Sequence, residues 1–365
     1  MTDFISFFRL KIRRLDWVTL ICVFILATAS LVSLASSDIN FFNRQLIWYG
    51  IAFAVIIFGS QIDWRLLISQ AWFRYGMYWL SIVLLVISNL QTKTVRGTKS
   101  WLDFGFIQFE PSELAKLSLI LILAGFFSRR YVAAWHSKNI LVSLFYALLP
   151  AGLIAIHPDF GSAIVVLGIW LGFLLLSGLN YKRFAVGLTL ALAVAAVLWI
   201  FFLKPYQKDR VMGFVFPEAD PLGINYNVIQ SKIAIGSAGL WGKGFQMGTQ
   251  TQLKFLPEVQ SDFLFAAFVE EWGLLAGILV VLTFLLIIFR MVIIGSRARS
   301  NDFKFIALGG GLVLLIHFFI NIGSNLGLLP VAGMPFPFLS YGGSSLLTNA
   351  ILISIIQHIK LESAF

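Results

Sequence analysis

The sequence predicts an all-α, polytopic membrane protein, and three observations predict it. Apolar residues make up 59% of the chain and charged residues only 12%, far from the balance of soluble domains. Ten runs approach the roughly twenty apolar residues that a helix needs to cross a hydrocarbon core. No strand-like alternation competes with them, and a backbone in lipid must satisfy its own hydrogen bonds, which leaves helices.

The runs cover residues 17–36, 45–61, 73–90, 112–127, 140–156, 160–178, 184–203, 263–289, 305–328 and 340–359. The basic start before residue 17 has the order of a secretory signal, but the apolar run behind it is too long, so it reads as an uncleaved first span. The single cysteine, Cys22, lies in that span, which excludes an intramolecular disulfide and argues against thiolate chemistry or a cysteine-based metal site. Ten spans put both termini on one side, and placing them in the cytoplasm puts sixteen of the 27 Lys and Arg residues inside. The remaining eleven lie outside, mostly in two loops, and point to an anionic ligand there. The net charge of +10 is spread in short groups over both faces, which argues against nucleic acid. With no repeat, linker or low-complexity tract, residues 1–365 read as one integral membrane domain.

The largest interruption is the loop at residues 204–262, between spans seven and eight. It opens on Lys204-Pro205-Tyr206-Gln207-Lys208-Asp209-Arg210 and closes on Pro257-Glu258-Val259-Gln260-Ser261-Asp262. Its cations, Arg210 among them, suit a charged substrate at the membrane surface. Asp262 has two readings: an N-cap for the following helix, or a carboxylate placed for chemistry where a lipid-linked head group would stand. Glu270 and Glu271, about two turns further on, are expected inside the span as partners of outside cations.

The earlier outside loop carries Trp101, Asp103 and Glu110 and runs into Pro111-Ser112-Glu113-Leu114-Ala115-Lys116, where proline suits a helix start. Glu113 and Lys116 share a helical face, so Lys116 either pairs with Glu113 or meets a phosphate. In His157-Pro158-Asp159-Phe160-Gly161-Ser162, Asp159 either caps the next helix or joins His157 in an acid–base or metal pair. His317, Asn321 and Asn325 recur at steps of four, a polar stripe for bonding between helices or for lining a cavity. The prolines and paired glycines of residues 329–345 mark an irregular outside segment, tolerated at membrane depth only against protein or a cavity.

Five motifs together resemble one family. They are Glu110-Pro111-Ser112-Glu113, His157-Pro158-Asp159-Phe160-Gly161-Ser162-Ala163, Pro217-Glu218-Ala219-Asp220-Pro221-Leu222-Gly223, Gln230-Ser231-Lys232-Ile233-Ala234-Ile235-Gly236-Ser237 and Phe338-Leu339-Ser340-Tyr341-Gly342-Gly343-Ser344-Ser345. In this order they look like the SEDS proteins of bacterial shape, elongation, division and sporulation, closer to the elongation member than to the division member. The resemblance implies a ten-span, GT-C-like fold in the bacterial cytoplasmic (inner) membrane, and a glycosyltransferase that polymerises lipid II into peptidoglycan at the outer face. It also implies a class B penicillin-binding transpeptidase as partner, other elongation-complex proteins around it, and membrane lipid as surroundings. Carried over by motif, the family's loop aspartate falls on Asp262 and its cavity residues on Glu113, Lys116 and Asp159; Arg44 matches the arginine before the second span. Trp101 and Arg210 complete the expected substrate contacts. Two positions depart from the pattern: Glu110 stands where many members have Gln, and Ser100 where many have Arg.

The chemistry so implied is attack by a GlcNAc 4-hydroxyl on the anomeric carbon of a lipid-linked MurNAc, with inversion and release of undecaprenyl pyrophosphate. Asp262 is the expected general base and the cations are the expected clamp on the leaving pyrophosphate. A divalent cation such as Mg²⁺ or Mn²⁺ would serve the same end, although no dense carboxylate cluster fixes one. A lipid II flippase or other transporter, or a non-catalytic scaffold for the penicillin-binding protein, are the alternatives. A transporter would centre its polar groups on the midplane, whereas these gather at the outer interface.

Overall fold

The structure, a computed structural model, describes residues 14–90, 100–103, 108–130, 134–156, 159–178, 181, 182, 185, 189, 208, 212–216, 223 and 225–363. Nine of the ten apolar runs fall on helices, and the run at 184–203 lies, but for two residues, outside the described residues. The helices are α1 (Trp17–Ser37), α2 (Ile39–Gly59), the short α3 (Trp64–Ser69), α4 (Ala71–Leu90), α5 (Pro111–Phe127), α6 (Ser137–Ile156) and α7 (Phe160–Leu176), then α8 (Tyr226–Ser237), α9 (Thr249–Gln252), α10 (Leu264–Ser296), α11 (Asn301–Asn325) and α12 (Gly343–Ser363). Seven of them are long and apolar enough to cross a membrane. A small antiparallel pair, β1 (Leu102–Asp103) with β2 (Gln108–Phe109), is the one departure from an all-helical reading among the described residues. Two-residue strands are too short to show alternation in sequence.

Element boundaries follow from capping. Asp38 ends α1 through its own N–H and starts α2 by accepting from Asn40 N at 2.7 Å, so α2 begins six residues before the expected 45. Arg44 therefore lies inside a helix instead of before one, and its side chain is exposed. The bundle centres on α5, whose side chains are buried almost all round, the mark of a helix enclosed by others. It is packed by α4, α7, α11 and α12, while α10 runs along α1 and α11, and α12 along α2.

The span after the large loop is broken. At Gly273 the backbone takes φ 86° and ψ 171°, separating a short helix at residues 264–272 from a span at 274–296. Twenty-three residues at 1.5 Å each still give about 34 Å, enough to cross. The break is caused by the loop lying against it: Lys243 N donates to Glu270 O, Gly244 N to Glu271 O and Leu274 N to Gly239 O, each at 3.0 Å. A Cβ on Gly273 would stand 2.3 Å from Leu240 O, so glycine is required by approach as well as by dihedral. Glu270 and Glu271 thus precede the span proper and belong to the loop's anchorage, a correction to their expected place inside the membrane.

The irregular segment at residues 330–342 is also anchored. Phe336 is fully buried among the rings of Phe265, Phe284 and Phe318, with centroids 5.1–6.1 Å apart. Tyr49 donates its hydroxyl to Phe338 O at 2.7 Å, and Tyr341 N donates to Gln260 O at 2.8 Å.

Candidate functional site

Four elements bring polar groups to one end of the bundle: the starts of α5, α7 and α10, and the last turns of α11. At the start of α5, Lys116 Nζ donates to Glu113 Oε1 at 2.7 Å, with both side chains almost wholly buried. Lys116 also lies 3.2 Å from His317 Nε2 on α11. A lysine ammonium only donates, so Nε2 accepts and the imidazole proton sits on Nδ1. Nδ1 is buried and makes no hydrogen bond among the described residues. Of the two readings of Lys116, the ion pair is the one observed.

Asp159 caps α7, its carboxylate accepting from Ser162 N at 3.1 Å, and Ser112 Oγ donates to Ser162 Oγ at 3.5 Å across the two helix starts. Gly161 lies so close to the proline-rich segment that a Cβ would stand 2.2 Å from Ala332 O. Glu110, just ahead of α5, accepts from the Ser112 hydroxyl. Burial first, then the charges of Glu113 and Asp159, push its carboxyl up to about 8, against the pull of Lys116 and of the Ser112 bond. At neutral pH Glu110 is therefore protonated, with the polarity of a glutamine.

Asp262 does not cap α10. The helix starts at Leu264 behind Phe263, which makes no side-chain cap. Its peptide carbonyl instead accepts from two amides of the α11 stripe, Asn321 Nδ2 at 3.0 Å and Asn325 Nδ2 at 2.9 Å. Asn321 Nδ2 also donates to Met334 O at 2.8 Å, and Ser231 Oγ of α8 donates to Asn325 O at 2.9 Å. Asp262 Oδ2 lies beside Gly333, 3.8 Å from where a Cβ would stand. One face of α11 thus connects the Lys116–Glu113 pair, through His317, to the Asp262 peptide. The spacing of the stripe was readable, whereas its partners lie 59 and 63 residues away and were not.

Of the other expected contacts, Arg44 is exposed on α2, and Trp101 is half-buried next to the β1–β2 pair. Among the described residues, neither is joined to the Lys116–Glu113 pair or to the α11 stripe by a side-chain bond. Arg210, like His157, lies outside the described residues. No group of three His, Cys, Asp or Glu side chains could hold a metal among the described residues. Glu113 faces an ammonium and Asp159 a helix start.

Fold and site together define a polytopic membrane protein with a buried, charged cluster at one end of its bundle. Residues 8–364 match the FtsW/RodA/SpoVE family, described as cell cycle proteins, and the chain belongs to that family. It is 38% identical over 350 residues to the peptidoglycan glycosyltransferase MrdB of Escherichia coli K12, covering 94% of each chain. With the probable peptidoglycan glycosyltransferase FtsW of Thiomicrospira cyclica it shares 32% identity, over 97% of this chain and 94% of the relative. Its fold is similar to a chain of a peptidoglycan synthase complex, described in terms of its coordinated polymerization and crosslinking, with TM-score 0.82, 29% identity and coverage of 96% and 98%. The rod-shape-determining protein RodA of Thermus thermophilus shares the fold at TM-score 0.71 and 24% identity, with coverage of 95% and 96%.

Proposed function

We propose that this chain is a peptidoglycan glycosyltransferase of the elongation type, polymerising lipid II into β-1,4 glycan strands at the outer face of the bacterial cytoplasmic membrane. Both termini are then cytoplasmic, and its partner is a class B penicillin-binding transpeptidase that crosslinks the product, within a larger elongation complex. The observation that carries the reading is the α11 stripe, which ties the Asp262 backbone and the Lys116–Glu113 pair into one site.

In this reading Asp262 accepts the proton of the acceptor 4-hydroxyl as its oxygen bonds to the anomeric carbon, a contribution of roughly 10²–10⁴ in rate. The bond from that carbon to the pyrophosphate oxygen breaks as the new one forms, so α becomes β. Lys116 offers its charge, and His317 its Nδ1–H, to the oxygens that gain negative charge. Glu113 and His317 hold the ammonium in place while the bundle keeps water out. Arg44, Trp101 and Arg210 contact the head group further out, and Asp159 braces the cluster through Ser162.

The test is reconstitution with the cognate penicillin-binding protein and lipid II. Wild type makes glycan, and folded, partner-bound Asp262→Asn makes none. Equal product from both would remove Asp262 from the chemistry, and none from either would leave the flippase or scaffold reading in its place.

A further inference from the structure

The end of the bundle remote from Asp262 holds a second charged feature, which the proposed reaction does not use. Where α10 and α12 finish, Arg290, Arg297, Lys360 and Ser363 line a cavity of about 190 Å³, with Ile293 and Ile294 as its apolar wall. Arg290 lies in α10 and Arg297, two turns on, at its C-cap, and Lys360 and Ser363 are one turn apart on α12. Three cations and a hydroxyl therefore converge from two helices.

Among the described residues, one of those cations is neutralised. Arg290 Nε donates to Asp16 Oδ2 at 3.1 Å and its Nη2 donates to the other oxygen. Burial raises the Asp16 carboxyl, but bonds from Arg290 and Thr19 outweigh it and hold the group below its ordinary value. Asp16 is in turn fixed to α12, its N–H donating to Gln357 Oε1 at 2.7 Å. The side chains of Arg297 and Lys360 have neither an ion pair nor a hydrogen bond among the described residues. Like charges facing one cavity repel, and an anion between them relieves that repulsion.

The surroundings say which kind of anion. Leu282, Leu286 and Phe289 are exposed along α10 and form an apolar strip that leads down the helix to Arg290. A soluble anion has no use for that approach, whereas a phospholipid satisfies both features, its phosphate among the cations and its chains on the strip. We infer that this cavity binds the phosphate of an anionic phospholipid.

The experiment uses the full-length protein in detergent, probed with phosphatidylglycerol, phosphatidylcholine or inorganic phosphate, and reads bound lipid by native mass spectrometry and protection against heat. Wild type retains phosphatidylglycerol at least about tenfold better than phosphatidylcholine, and Arg297→Gln/Lys360→Gln loses that preference. Arg299→Gln/Lys304→Gln, with the same change of net charge at the same end, keeps it. Equal retention of the two lipids, or an equal loss in both double variants, would overturn the inference. Protection by inorganic phosphate as strong as by phosphatidylglycerol would overturn the lipid in favour of a soluble phosphate. Arg290 and Asp16 are untouched in these variants, and the single substitutions give the same reading should the first double variant not fold.

Discussion

Asp262 and Glu270 stand eight residues apart at the same end of α10, and the molecule holds them in opposite ways. The Glu270 carboxylate is itself the anchor point: it accepts from Lys243 Nζ at 2.8 Å, from the hydroxyls of Thr249 and Thr251, and from the peptide N–H groups of Gln250 and Thr251. Asp262 is gripped through its main-chain carbonyl by Asn321 and Asn325. A carboxylate whose oxygens are consumed by five donors works as a staple, here pinning the large loop to the helix. Holding a residue by its peptide fixes where the side chain starts. The comparison teaches that burial and charge alone do not separate a structural acid from a reactive one; the point of attachment does.

Substitution at Asp262 has the largest expected effect on activity. Asp262→Asn should lower glycan polymerisation by about 10²–10⁴ while leaving the melting temperature near that of wild type. Glu270→Ala should do the reverse first, because the amides of Gln250 and Thr251 lose their acceptor, at a cost of about 1–3 kcal/mol for each buried group left unpaired. Scanning calorimetry or a dye-based melt in detergent reads that loss. A stable Glu270→Ala, or an Asp262→Asn that melts early, would erase the distinction between the two acids.

The next effect in size tests the grip on Asp262. Asn325→Ala removes one of two donors to the Asp262 carbonyl but leaves the Asn321 bond to Met334 in place. Turnover should fall by about tenfold, as expected of a misplaced reacting group, with half-saturation for lipid II little changed. Ser231→Ala, which frees the carbonyl of Asn325, should show the same pattern more weakly. A rise in half-saturation at constant turnover would instead place the two asparagines in substrate binding.

Much of this was legible in the sequence, and what was not has physical reasons. Hydropathy set the spans because lipid leaves a backbone no alternative to helix, and the step of four from His317 to Asn325 placed three polar groups on one face before any partner was known. The break at Gly273 was hidden, since its cause lies about thirty residues earlier, in the backbone of residues 239–244, and a single glycine in an apolar run carries no trace of that approach. Ser261-Asp262 reads as a cap by local grammar, yet tertiary bonds from α11 draw the Asp262 carbonyl away and the helix begins two residues later. The early start of α2 was missed for the opposite reason. Asp38 serves two helices at once, and the polar Asn43-Arg44-Gln45 inside the second turn reads as a boundary.

Glu110 sharpens the comparison with a third treatment of a carboxyl, which is to neutralise it. Its neighbours from both packed elements are Glu113 and Lys116 on α5 and Asp159 at α7, and burial among them lifts it from an ordinary 4.5 to about 8. Between those values the folded protein holds a proton that the unfolded chain releases, so this group favours folding fully below about 4.5 and progressively less as pH rises to about 8. Above that pH a third negative charge enters the cluster that faces Lys116. Polymerisation should therefore decline on the alkaline side with a midpoint near 8, by a few-fold and not by orders of magnitude, because the charge lies beside the Lys116–Glu113 pair and not on a reacting atom. Glu110→Gln has nearly the same shape and cannot titrate, so its pH profile should lack that limb. An alkaline limb that survives in Glu110→Gln would assign the titration to another group and return Glu110 to the role of an ordinary helix-start acid.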